Sequence, residues 1–300
     1  MTSFAGDAQR NNAFFTKTLG LRRVKKTVNF DNPDVYHLYY GDENGTPGSV
    51  MTYFPFPHIG HGRPGTGEVG TTVFAIPEGS LDFWKERFSS RGVAKLEEDE
   101  SFGSNRLHFT GIDGDSFALV EHTNDTRMPW HVDDIPIDVA IRGFHSAVLR
   151  LQDEGAMAEL LNFMGYHDIG SSNGIRRFMV EDGNAANVID LEITPTANRA
   201  QPGSGSVHHV AFAVDNREKQ LEVRKALIDT GYQVTPVIDR DYFWAIYFRT
   251  PGGVLFEVST NEPGFARDED KAHLGEALRL PVRYAHMREF LEKTLVPIDD

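Results

Sequence analysis

An α+β fold built from four copies of one βαβββ module is predicted by three observations on this 300-residue chain. One order of events recurs four times: a short apolar strand, an amphipathic helix, then β-rich sequence ending in a turn and a last strand. A glycine closes each helix. Turn dipeptides stand before most of the last strands.

The helices are expected at Asp7–Leu19, Gly79–Ser90, Glu154–Met164 and Asn216–Thr230. Apolar residues at helical spacing mark their inner faces, as in Leu81, Trp84 and Phe88, or Met157, Leu160, Leu161 and Met164. Gly20, Gly92, Gly165 and Gly231 follow them, where a left-handed cap needs a residue without Cβ. The last strands are expected at Ser49–Phe54, Ser116–Glu121, Val188–Thr194 and Val254–Thr260, with turns at Asn44-Gly45, Asp113-Gly114, Asp182-Gly183 and Gly252-Gly253. A half-open βαβββ sheet cannot cover its own concave face, so modules should pair into cups. Residues 1–123 and 142–260 then form two two-module domains, with 124–141 as linker. Residues 261–300 are a tail whose helix, near Arg283–Leu295, is expected across the C-terminal half.

Composition narrows the function. Hydrophobic residues make up 40% and charged residues 25%, the balance of a globular chain able to bury a core. Zero cysteines exclude thiol nucleophiles, thiolate zinc sites, iron–sulfur clusters and disulfides. A net charge of −14 with no Lys/Arg block argues against nucleic acid and anionic membranes as partners. No apolar run has the length of a membrane span and no signal-like segment opens the sequence, so a cytoplasmic enzyme or small-molecule binder is expected.

Two motif matches fail on context. Gly65-Thr-Gly67-Glu-Val-Gly70 fits GxGxxG but precedes a strand-like run, the reverse of phosphate-binding order. Gly170-Ser-Ser172-Asn-Gly174 fits GxSxG but lies after a helix and before a strand, which suits a hairpin loop. His37, His58, His61, His108, His122 and His131 have no ligand-like spacing and read as surface or strand histidines.

The chemistry concentrates in the fourth module. Ser206-Val-His208-His209-Val begins its first strand, and Glu257 interrupts the apolar strand Val254-Leu-Phe-Glu257-Val. Strand residues alternate faces, so only one of the two histidines is expected in a given cup. A carboxylate in such a strand needs a partner: a metal shared with a histidine, or an ion pair to Arg249 or Arg240. In the repeat, the His209 slot becomes Thr71, Ser146 and, in module one, the position before Met1. The Glu257 slot becomes Thr52, Ala118 and Glu192. Only module four supplies both groups, and a 2-His-1-carboxylate face needs one more histidine.

Gly6-Asp-Ala-Gln9, Thr18-Leu-Gly-Leu21, Val24–Phe30 and Tyr36–Asp42 are very similar to ring-cleaving dioxygenases of the vicinal oxygen chelate superfamily, the group acting on hydroquinones and catechol-like rings. The resemblance continues through Gly65–Thr72, His208-His209-Val, Tyr242–Arg249 and Phe256-Glu257-Val, covering essentially the whole chain. It implies two vicinal-oxygen-chelate domains, a small aromatic substrate, O₂ as co-substrate and mononuclear Fe(II), with Mn(II) suiting similar ligands. By the same carry-over His209 and Glu257 are metal ligands, and His208, Arg240 and Tyr247 serve acid–base and substrate contacts. Arg240 has the alternative of pairing with Asp239 or Asp241, and Tyr247 that of a packing residue. Phe243, Trp244 and Phe248 offer an apolar wall. A homo-oligomer is compatible with the sequence.

The family's third ligand is the second histidine of a His-His pair standing immediately before the residue that matches Met1. The expectation is a misplaced start or a trimmed sequence rather than a lost ligand. His145 and Glu192 are the in-chain alternatives. The family reading requires module one to close against module four. Rival functions on the same scaffold are a metal-dependent isomerase or lyase of the glyoxalase type and a non-catalytic small-molecule binder.

Overall fold

A computed structural model describes residues 1–181 and 183–299; the expected Asp182-Gly183 turn lies partly outside them. Module one runs β1 (Thr2–Ala5), α1 (Ala8–Ala13), β2 (Arg22–Val28), β3 (Tyr36–Gly41) and β4 (Met51–Pro55). Module two runs β5 (Glu68–Ile76), α2 (Leu81–Ser90), β6 (Ala94–Ser101), β7 (Ser104–Thr110) and β8 (Ser116–Glu121). Module three is β9 (Gly143–Leu151), α3 (Gly155–Phe163), β10 (His167–Ser172), β11 (Ile175–Met179) and β12 (Val188–Ile193). Module four is β13 (Val207–Val214), α4 (Arg217–Asp229), β14 (Ile238–Asp239), β15 (Phe243–Arg249) and β16 (Leu255–Pro263).

The helices start and stop for local reasons. Asp7 and Asn216 each accept a backbone N–H from three residues on, capping α1 and α4. Past α1 the chain makes a π-helical turn at Phe14–Thr18 before Gly20 ends it. Gly20 sits at φ +72° and Gly231 at φ +97°, the left-handed conformation that terminates a helix without a Cβ clash.

Each module alone is a half-open sheet, and the pairing is one with four and two with three. The sheet orders are β14-β15-β16-β13-β1-β4-β3-β2 and β10-β11-β12-β9-β5-β8-β7-β6. Each sheet therefore draws one module from residues 1–123 and one from 142–260. Aromatic side chains weld modules one and two: Phe14 and Phe15 reach Phe117 of module two at 6.3 and 6.1 Å, and Trp84 and Phe88 are fully buried.

The tail departs from its expected place. It lies mainly against module one, which carries an open sheet edge, and meets the C-terminal half only at its margin, where the Val282 N–H donates to Asp241 Oδ2 and Tyr242 Oη donates to Asp268 Oδ2. The Arg279 N–H donates to the Lys26 carbonyl, Tyr284 Oη donates to the Phe30 carbonyl, and Arg23 Nε donates to the Gly275 carbonyl. An unpaired edge strand is thereby covered. Inside that seam Lys25, with no exposed surface, is paired with Glu269 and with Asp268 (2.8 Å). The expected tail helix splits into a 3₁₀ segment, Val282–Met287, and α5 (Arg288–Thr294).

Candidate metal centre

The cup formed by modules one and four holds the chemistry. Ala211 of β13 lies beside Glu257 of β16, and Tyr247 of β15 lies on its other side. His209 and Glu257 are 5% and 3% exposed, and His209 Nε2 stands 2.6 Å from Glu257 Oε2. The alternative partners for Glu257, Arg249 and Arg240, are elsewhere: Arg249 Nη1 donates to the Gly253 carbonyl, and Arg240 pairs with Asp31 at 3.2 Å. Arg240 thus chooses neither Asp239 nor Asp241.

The expectation that the two histidines face apart is corrected by a bulge. Thr2 of β1 pairs with His209 and Ser3 with Val207, which leaves His208 as an extra, unpaired residue in β13. Such a bulge re-aims a side chain that strict alternation would send away. The two Nδ1 atoms come within 2.8 Å, one ring's N–H donating to the other's bare nitrogen. Burial, and then the neighbouring His209 and Arg249 charges, push His208 down to about 4, so its ring is neutral at pH 7.

A cavity of about 1040 Å³ opens above this pair. His208, His209, Glu257, Tyr247 and Arg240 all line it. Burial and the Glu257 charge raise the Tyr247 hydroxyl, keeping it a donor at neutral pH. The Arg240 guanidinium carbon lies 5.6 Å from the Tyr247 ring centroid.

Module one adds residues that sequence reasoning missed. His37, read as an ordinary strand histidine, is 7% exposed and lines the cavity. Tyr39 Oη donates to its Nδ1 at 2.8 Å; its Nε2 donates to Thr52 Oγ1 at 3.0 Å, which in turn donates to Thr2 Oγ1 at 2.8 Å. That chain fixes a neutral His37, and burial together with His209 and Arg240 holds its pKa well below the usual range. The available signal was His37 and Tyr39, polar residues two apart on one face of a buried strand. The aromatic wall also differs from expectation. Phe243 lines the cavity, whereas Phe248 packs on Phe256 behind the sheet and Trp244 lies under Arg217. Phe4, Phe30, Phe54, Phe56, Phe144, Phe212 and Phe265 line the cavity as well.

Neither in-chain alternative for a third ligand joins the His209–Glu257 pair, although His145 lines the same cavity. Glu192 is held by Arg150 at 2.8 Å in the other sheet. The register there places Asp190, not Glu192, beside Val148, and Asp190 is locked to Arg177 at 2.7 Å. His145, buried and pushed down to about 3 by burial and Arg177, has its ring 5.3 Å from that of His122. Among the described residues no group of three His, Asp or Glu converges on one point. His209 and Glu257 nevertheless fit an ion: an imidazole nitrogen and a carboxylate oxygen, both buried, aimed at each other at the cavity floor.

Residues 164–258 match the model of the glyoxalase/bleomycin resistance protein/dioxygenase superfamily. The chain is 40% identical over its whole length to MhqO of Bacillus subtilis (strain 168), assigned as a ring-cleaving dioxygenase, covering 95% of that protein. It is 35% identical to the chlorohydroquinone/hydroquinone 1,2-dioxygenase of Sphingobium indicum, covering 98% of this chain and 94% of that one. A Bacillus subtilis crystal structure assigned as a dioxygenase superposes with a TM-score of 0.96 at 40% identity, covering 100% of this chain and 96% of that one. Glyoxalase I from Zea mays shares the fold, with a TM-score of 0.64 at 15% identity over 87% of this chain and 90% of that one. No described helix is long and apolar enough to cross a membrane.

Proposed function

Because the chain belongs to the ring-cleaving dioxygenases of the glyoxalase/bleomycin resistance protein/dioxygenase superfamily, we propose that it opens hydroquinone- or catechol-type rings with O₂ at an Fe(II) centre held by His209 and Glu257. The observation that carries this reading is the buried His209–Glu257 pair at the floor of an aromatic-walled cavity. Bound there, Fe(II) supplies open positions for a ring oxygen and for O₂ and the redox activity that couples them, and Mn(II) suits the same donors.

Thr2 faces Thr52 as Ala211 faces Glu257, so the residue matching His209 is the one that precedes Met1.

The protein's own residues handle binding and protons. A phenol entering the cavity meets Tyr247 as donor and Arg240 as a fixed positive charge, which favour a deprotonated ring oxygen. Neutral His208 takes that proton, and its contact with His209 couples the acceptor to the ligand ring. The Phe walls exclude water and hold the ring flat against the site. His37, with both ring nitrogens engaged by Tyr39 and Thr52, adds a fixed, uncharged ring face to the cavity lining.

The test is O₂ uptake with methyl- or chloro-hydroquinone after anaerobic Fe(II) loading, comparing this chain with one carrying His-His before Met1. Uptake in the extended form supports the reading. Turnover without O₂ in both would replace it with an isomerase, and ligand binding with no turnover would replace it with a binder.

A further inference from the structure

The His208–His209 pair has two chambers, and only the larger one is used above. A second cavity of about 360 Å³ also reaches His208, His209 and Phe4, and Arg199 and Arg249 line it. Arg199 is exposed, and among the described residues its guanidinium has no hydrogen-bond acceptor and no carboxylate partner. It lies over Gly253 and Gly67. A Cβ on Gly253 would come 2.2 Å from Arg199 Nη2, and one on Gly67 would come 2.9 Å from the Gly252 carbonyl oxygen. Both glycines have positive φ, +93° and +83°, so the cradle needs glycine twice over. The carboxylate lining this chamber, Glu68, is already engaged by the Gly65 N–H at 2.8 Å and by Arg150 at 3.3 Å. The chamber therefore presents positive charge on a chain whose net charge is −14.

Ring opening changes charge. A neutral diol and O₂ give a chain in which the hydroxyl-bearing ring carbon ends as a carboxylic acid and its neighbour as an aldehyde or ketone. The carbon–carbon bond between them breaks, those carbons are oxidised, O₂ is reduced, and both its atoms stay in the product. The new acid loses its proton at neutral pH. A neutral reactant has no use for the guanidinium pair; an anionic product does.

We propose that Arg199 and Arg249 form a carboxylate-binding site at a second mouth of the active site, which receives the ring-opened acid. The assignment rests on the ring-cleavage reading for the identity of the ligand, and on the two arginines and the glycine cradle for the site. Neutral rings use the larger chamber, and the acid is drawn past His208 towards the smaller one.

Calorimetric titration of the metal-free protein with cis,cis-muconate, a six-carbon dicarboxylate, tests the site without turnover. Binding is expected to weaken about tenfold or more in Arg199→Gln and in Arg249→Gln, to be partly restored in Arg199→Lys, and to fall with added salt. Muconate binding equal in Arg199→Gln and the unaltered chain, or no binding in either, would overturn the proposal. So would inorganic phosphate competing as well as muconate. Absence of O₂ uptake with every diol, while Arg199-dependent muconate binding persists, removes the ring-cleavage reading and leaves the anion site standing. O₂ uptake with muconate binding indifferent to Arg199 removes this inference alone.

Discussion

His208 Nδ1 and His209 Nδ1 lie 2.8 Å apart although the residues are neighbours on a strand. The bulge opposite Thr2 and Ser3 makes this contact, and it divides labour between the rings. His209 Nε2 is directed at Glu257, so its Nδ1 is available to His208. A ligand imidazole whose second nitrogen is hydrogen-bonded has its tautomer and orientation fixed.

That division predicts different losses. His208→Gln should keep bound iron within about twofold while lowering kcat by about 10²–10⁴, the range for losing a positioned proton acceptor. His209→Ala or Glu257→Ala should abolish stoichiometric iron. Metal analysis of the three variants beside O₂ uptake checks this, and equal iron loss in all three would remove the distinction.

His37 should act through orientation. Tyr39→Phe deletes the donor to His37 Nδ1 and Thr52→Val deletes the acceptor at Nε2. Each is expected to raise KM for the ring substrate about three- to tenfold, in line with about 1 kcal/mol for a hydrogen bond lost beside the substrate. Steady-state kinetics with iron content held equal measures it.

Lys25 should anchor the tail. It is fully buried between Asp268 and Glu269, and Glu269 itself is 1% exposed at the side chain. Lys25→Met leaves that buried carboxylate with the Gly275 N–H at 3.5 Å and Arg279 at 3.3 Å, and should cost about 3–5 kcal/mol. Adding Glu269→Gln should return a good part of it. Denaturant unfolding of the single and double variants gives the coupling.

Stability should fall between about pH 4 and pH 6 through Asp115. Burial raises its carboxyl from the usual 3.8 to about 6, with the Tyr53 hydroxyl donating to it at 2.7 Å. The folded state therefore binds the proton more tightly than the unfolded one. Its stabilising share is complete below the unfolded pKa and is lost as pH rises through the folded one, amounting to about 3 kcal/mol. Asp115→Asn should flatten that slope, because the amide can still accept from Tyr53. Unfolding midpoints measured from pH 4 to pH 7.5 would show it, and an unchanged slope would assign it to other groups.

The sequence by itself determined the four modules, because helix period, helix-ending glycines such as Gly20 and Gly231, and alternating strands are local properties. It also singled out Glu257, since a carboxylate amid Leu255, Phe256 and Val258 advertises a need for a partner. Which modules close on each other, and where the tail lies, depended on which edges remained open, as Arg23, Lys26 and their tail partners show. The meeting of His208 with His209 required a bulge imposed by β1, almost 210 residues earlier in the chain. His37 and Tyr39 became part of the site only because β3 and β13 share a sheet. Alternation and helix period are set by bonds within a few residues, whereas a cup is set by contacts between strands that the sequence keeps far apart.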